Sequence, residues 1–144
     1  MSGGVLMRVQ VGEVTTADPT QGTARVKIEE QDDKVSAPLH VLYRGTLKNK
    51  DYWMPKIGER VLCLFTKQSE GFILGSYYSD GTPPPRTDPE KRCIEFEDGN
   101  FIEYDTKMHK LHLNIDGEIN IETKGPVTVN GQLLSPGGNS STSE

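Results

Sequence analysis

Two nearly continuous apolar runs, Val61-Leu62-Cys63-Leu64-Phe65 and Phe72-Ile73-Leu74-Gly75-Ser76-Tyr77-Tyr78, lie within the first 80 residues and organise the rest. Runs of this length, β-branched and aromatic and bounded by glycine and polar residues, make better strands than helices. The polar segment 66–71 joins them as a hairpin. Because neither run alternates cleanly, both faces of each are expected to be covered, which is the first sign of a partner. Upstream, residues 7–14 alternate, with Val9 and Val11 on one face and Arg8 and Gln10 on the other. Asp18-Pro19 turns the chain. A second strand over 23–28 directs Ala24, Val26 and Ile28 inward and Arg25 and Lys27 outward. The acidic run 29–33 reads as an exposed loop, 39–42 as a short strand, and 44–50 as a polar loop leading into Tyr52-Trp53-Met54-Pro55.

Five strands, with little room for a helix between the middle ones, predict an all-β N-terminal barrel of the oligonucleotide/oligosaccharide-binding (OB) type over residues 1–79. Residues 80–92 break the pattern with Asp80-Gly81, three prolines at 83–85 and Asp88-Pro89, and read as a stiff linker. Over 93–134 the period becomes two. Ile94 and Phe96 share a stripe, Asp98-Gly99 turns, and Ile102 and Tyr104 follow. Leu111, Leu113 and Ile115 come next, then Ile119 and Ile121, then Val127 and Val129.

Each of these strands offers one narrow apolar stripe, and no second layer remains in the sequence to cover it. Burying a Val, Leu or Ile side chain is worth roughly 1.5–3 kcal/mol, whereas ordering each residue costs about 1–2 kcal/mol of backbone entropy. The segment therefore cannot make its own core. Three copies whose stripes converge on a shared axis would close a trimeric β-prism or β-helix, with those eleven residues as its core. The polar stretch 135–144 is expected to be disordered.

Composition narrows the function. The chain has 144 residues, 33% hydrophobic, with 15 glycines and 9 prolines, as a turn-rich β chain would. A net charge of −5 argues against binding a phosphate backbone, so no specific nucleic-acid partner is expected. No apolar run approaches the roughly 20 residues of a membrane helix, and the N-terminus shows no secretory pattern. Cys63 and Cys93 fit neither a metal spacing nor a disulfide framework, and Cys63 reads as a buried free thiol in a protein folded in a reducing cytoplasm.

Asp18-Pro19 with Gly22 and Arg25-Val26-Lys27-Ile28, then Trp53-Met54-Pro55 with Ile57-Gly58-Glu59-Arg60-Val61, then Gly71-Phe72-Ile73-Leu74-Gly75-Ser76-Tyr77-Tyr78, together resemble the baseplate assembly protein V family. These are the central spike proteins of contractile-tailed phages, with relatives in phage-like bacteriocins and in the VgrG spikes of type VI secretion. The resemblance implies a homotrimer at the axis of a tail baseplate, assembled in the bacterial cytoplasm. It would cap the tail tube, contact baseplate and tube-hub proteins, and pierce the target cell envelope. Many relatives end in a His-x-His pair that holds an iron ion across three chains. No such pair occurs here, so a separate tip protein could cap the spike. His109 shares parity with Leu111, Leu113 and Ile115 and would form an imidazole ring on the axis, or serve as a solvated histidine.

An enzyme is not expected. Glu95, Glu97, Glu103 and Asp105 alternate on solvent-facing strand positions, no nucleophile has a base in a turn motif, and no cofactor is implied. The rival reading is an OB-fold module binding nucleic acid or carbohydrate through Tyr43, Tyr52, Trp53, Tyr77 and Tyr78. Its cations Lys48, Lys50, Lys56 and Arg60 are few and mixed with acids. Arg44, Lys48, Tyr52 and Trp53 are the candidate docking residues, and Trp53 reads as a barrel plug or a subunit contact.

Overall fold

A computed structural model describes residues 7–130. The chain divides into two units, with Pro85 the last residue of the first and Arg86 the first of the second.

In the first unit, β1 (Arg8–Asp18) is long enough to serve two neighbours. Its first half pairs antiparallel with β5 (Arg60–Lys67) and its second half with β2 (Thr23–Ile28). A bulge between Val14 and Thr16 bends the strand from one partner to the other. Gly12 stands at that corner, opposite both Ile28 and Val61. A Cβ there would lie 2.4 Å from the Lys27 carbonyl oxygen and 2.5 Å from Val26 Cγ1, so the close approach demands glycine.

The hairpin partner β6 (Glu70–Ser76) runs antiparallel to β5, and β4 (Leu39–Val41) pairs antiparallel with β2 and parallel with β6. The ring β1-β2-β4-β6-β5-β1 is thereby closed as a five-stranded OB-type barrel. A two-residue strand, β3 (Lys34–Val35), hangs on the edge of β2 and was not expected from the sequence. It follows a 3₁₀ turn (Glu29–Gln31) and the left-handed residues Asp32 and Asp33, so the acidic run is a tight reversal with its own geometry.

The core consists of Val14, Ala24, Val26, Ile28, Leu39, Val61, Cys63, Phe65 and Ile73, none more than 4% exposed. Ala24, Val26 and Ile28 point inward as the alternation predicts. On β1 the apolar pair Val9 and Val11 lies on the outer face, with Val9 60% exposed. The inner parity belongs to Gly12 and Val14, and at the barrel end the Arg8 guanidinium lies 4.9 Å from the Phe65 ring centroid. The two apolar runs are covered on their inner side, while Leu62 and Leu64 are only half-buried outside. Leu64 stands opposite Val9 and Phe72, and Leu62 opposite Val11, so the outer wall carries an apolar strip.

The second unit is an antiparallel sheet of three strands, β7 (Lys91–Glu95), β8 (Phe101–Asp105) and β9 (Lys110–Asn114). Gly99 takes φ 90° in the first turn. In the second, Asp105 accepts hydrogen bonds from the backbone N–H groups of Lys107 and Met108. These contacts hold the Asp105 carboxyl below its ordinary value, Met108 contributing most. The period-two pattern continues past Asn114, yet residues 115–130 form no strand. Strand geometry needs a hydrogen-bonded neighbour, and among the described residues the outer edge of β9 has none. The stretch 135–144, expected to be disordered, lies outside the described residues.

Candidate functional site

The two faces of the three-stranded sheet differ sharply. Register aligns Ile94, Ile102 and Leu113 in one row across β7, β8 and β9, and Arg92, Tyr104 and Leu111 in the next row of the same face. All are exposed; Ile102, at the centre, is 37% exposed and Leu111 61%. Alternation puts Cys93, Glu103 and His112 on the opposite face, with Glu95, Phe101 and Asn114 beside them.

The middle of that opposite face is covered from within the unit, while Glu95, His112 and Asn114 at its margins stay exposed. Arg86 donates from Nε to Glu103 Oε1 at 2.6 Å and from Nη1 to Glu95 Oε1 at 2.9 Å, and its guanidinium lies 4.9 Å from the Phe101 ring centroid. Lys91 Nζ adds a contact to Glu103 Oε2 at 3.6 Å. His112 meets Phe101 edge-on at 5.1 Å. The Thr106 hydroxyl and N–H both donate to the Glu90 carbonyl oxygen, at 2.7 and 2.9 Å, which fixes the far end of the segment carrying Arg86. Glu103 is thus covered, 9% exposed, which corrects its reading as a solvated strand carboxylate. The Arg86 guanidinium, with help from Lys91, holds its carboxyl below the ordinary carboxylate value. Arg86 was missed because it follows the proline run, in a stretch read as linker. An isolated arginine just before strands bearing alternate glutamates was the available signal.

The other residues of the expected core fall in different settings. Phe96 lies just beyond β7, 39% exposed, and Ile115 is half-buried after β9. Ile119, Ile121, Val127 and Val129 are exposed outside any strand. His109 occupies the turn before β9 with φ 55°, so the parity counted from Leu111 does not extend to it. Among the described residues no cluster of His, Cys, Asp or Glu is placed to hold a metal ion.

The candidate docking residues occupy the loop between β4 and β5. Arg44 donates to both oxygens of Asp51, each at 3.0 Å, and lowers that carboxyl's pKa. Tyr52 stacks on Tyr43 at 6.5 Å, and Tyr52 and Trp53 are exposed. Lys48 is exposed on the same loop. An open cleft of about 770 Å³ at one barrel end carries Arg8, Lys34 and Lys67, with Phe65 as its aromatic lining. The tyrosines and Trp53 therefore do not line the cleft that holds these cations, as a base-stacking groove would require. Cys63 lies in the barrel core, where burial pushes its thiol up to about 11.

This closed barrel, with its parallel β4–β6 contact and a loop in place of the helix, defines the class. Residues 10–78, the barrel, match the family described as the type VI secretion system/phage-baseplate injector OB domain. The chain is also similar to the spike protein of Escherichia phage P2, with 29% identity over 122 residues. The match takes in 83% of this chain and 56% of the P2 protein, so the chain spans little more than half that relative's length.

Proposed function

We propose that this protein is the central spike of a baseplate in a contractile injection system, working as a homotrimer. The barrel unit, which ends at Pro85, docks to the tube end of the baseplate, and the unit that begins at Arg86 supplies a β-prism. Piercing a target envelope is then a mechanical task, the transmission of axial force through a stiff rod, and calls for no catalytic group. The family match over residues 10–78 and the likeness to the P2 spike support the baseplate role.

One observation carries the trimer. The second unit pairs the carboxylates on one face of its sheet with Arg86, burying Glu103, and leaves Ile94, Ile102, Tyr104, Leu111 and Leu113 uncovered on the other. A bare apolar face on so small a sheet is a partner surface. Three copies around an axis would cover it and give residues 115–130 the strand neighbours they lack.

Light scattering tests the reading: the expected mass is three times the chain's 16.0 kDa. Ile102→Asp places three carboxylates in the shared core, where unpaired charge is not tolerated, and should yield monomer. Wild-type monomer at micromolar concentration, or an Ile102→Asp chain that still assembles, overturns it.

A further inference from the structure

The loop between β4 and β5 is built more rigidly than a connector needs to be. Its neck is clasped by the two-pronged Arg44–Asp51 ion pair, and the Asp51 N–H donates to the Gly45 carbonyl oxygen at 2.9 Å. Thr46 and Lys50 pair as an antiparallel bridge. Gly45 is required there, since a Cβ would lie 2.6 Å from the Asn49 carbonyl oxygen. Behind the neck, the Tyr43 hydroxyl donates to Met54 Sδ at 3.1 Å. The result is a closed miniature hairpin with Leu47 at its tip, 81% exposed.

A lone exposed leucine is ordinary; a leucine held out on a pre-closed loop is not, because such a loop loses little conformational freedom on binding. Charge then selects the partner. Residues 44–56 carry four cations (Arg44, Lys48, Lys50 and Lys56) and one carboxylate, Asp51, in a chain of net charge −5. Asp51 is already engaged by Arg44, and among the described residues no carboxylate pairs with Lys48 or Lys50.

We propose that this hairpin is a plug: Leu47 enters an apolar socket edged by carboxylates on a different protein of the baseplate, with Lys48 and Lys50 meeting that edge. The proposal rests on the spike reading above. A second copy of this chain fits less well. The hollow on the barrel's outer wall, lined by Val11, Leu62, Leu74, Gly75, Ser76 and Tyr77, carries no carboxylate. The large cleft at the barrel end is itself edged by Arg8, Lys34 and Lys67. Neither suits a cationic plug, and in the hollow at the loop's own base the carboxylates are already engaged, Asp51 by Arg44 and Glu59 by the Lys56 N–H.

The test compares wild type, Leu47→Asp, Leu47→Met and the double variant Lys48→Glu/Lys50→Glu, each as the full chain. Light scattering and thermal unfolding are measured on the free protein, and the amount retained is measured in purified particles assembled with each variant. Leu47→Asp is expected to keep the wild-type mass and melting temperature while its content in particles falls by about tenfold or more. The charge-reversed double variant should fall similarly, and Leu47→Met should stay near wild type. Normal incorporation of Leu47→Asp overturns the plug. So does loss of its oligomeric mass, which would make Leu47 a contact between copies. Wild-type chain that never enters particles overturns the spike reading itself, and the plug with it.

Discussion

Arg86 and Glu103 meet at 2.6 Å on one face of the three-stranded sheet, while Ile102, the residue next to Glu103, stands exposed on the other. The two sides of β8 therefore have opposite fates. Carboxylates on one side are paired inside the unit, and apolar side chains on the other stand exposed.

The ion cluster makes this sheet sensitive to acid. The Glu103 carboxyl sits below its ordinary value of 4.5 in the folded chain, so it binds fewer protons folded than unfolded. Its contribution to stability is complete above 4.5 and disappears as the pH falls through the lower folded value. Melting curves between about pH 7 and pH 3 should show Glu103→Gln less stable than wild type at neutral pH, with the gap closing in acid. A gap that is constant across this range would assign the loss to packing instead of charge.

The barrel interior and its outer wall should respond differently to truncation. Ile28→Ala removes a side chain 2% exposed and should cost about 2–5 kcal/mol in urea unfolding. Val9→Ala, on the outer wall, should stay within about 0.5 kcal/mol for the free chain. Gly12→Val should fail to yield folded barrel, because a Cβ has no room between Lys27 and Val26.

The cysteines supply an independent probe. At about pH 8 a thiol reagent should label Cys93, on the sheet, in the native protein, and Cys63 only on unfolding. Burial raises the Cys63 thiol to about 11 and shields it, so its labelling rate should follow the opening of the barrel. Equal labelling of both would contradict the buried position.

Residues whose role is set by spacing along one strand were legible from the sequence. Ala24, Val26 and Ile28 read directly as a buried row because β2 alternates over its whole length. The faces of β1 were harder, since its inner parity includes Gly12, which has no side chain to advertise burial. β3 carries no apolar signature and exists through its backbone pairing to Lys27 and Ile28. The Arg44–Asp51 clasp and the Arg86–Glu103 pair join residues 7 and 17 positions apart, and hydrophobic period says nothing about such pairs. Composition points to the loop that carries Arg44, Lys48, Tyr52 and Trp53, but the exposure of Leu47 within it becomes informative only once the loop is seen to be closed.

The parallel contact between His40 and Phe72, together with β1 lying against β5, also sets when the barrel can form. The last hairpin of the ring supplies both closures, so a nascent chain emerging from the ribosome holds an open, sticky sheet until Ser76 has been made. Contacts spanning so much sequence form slowly. Synthesis must therefore finish this hairpin before the sheet's open edges can be hidden.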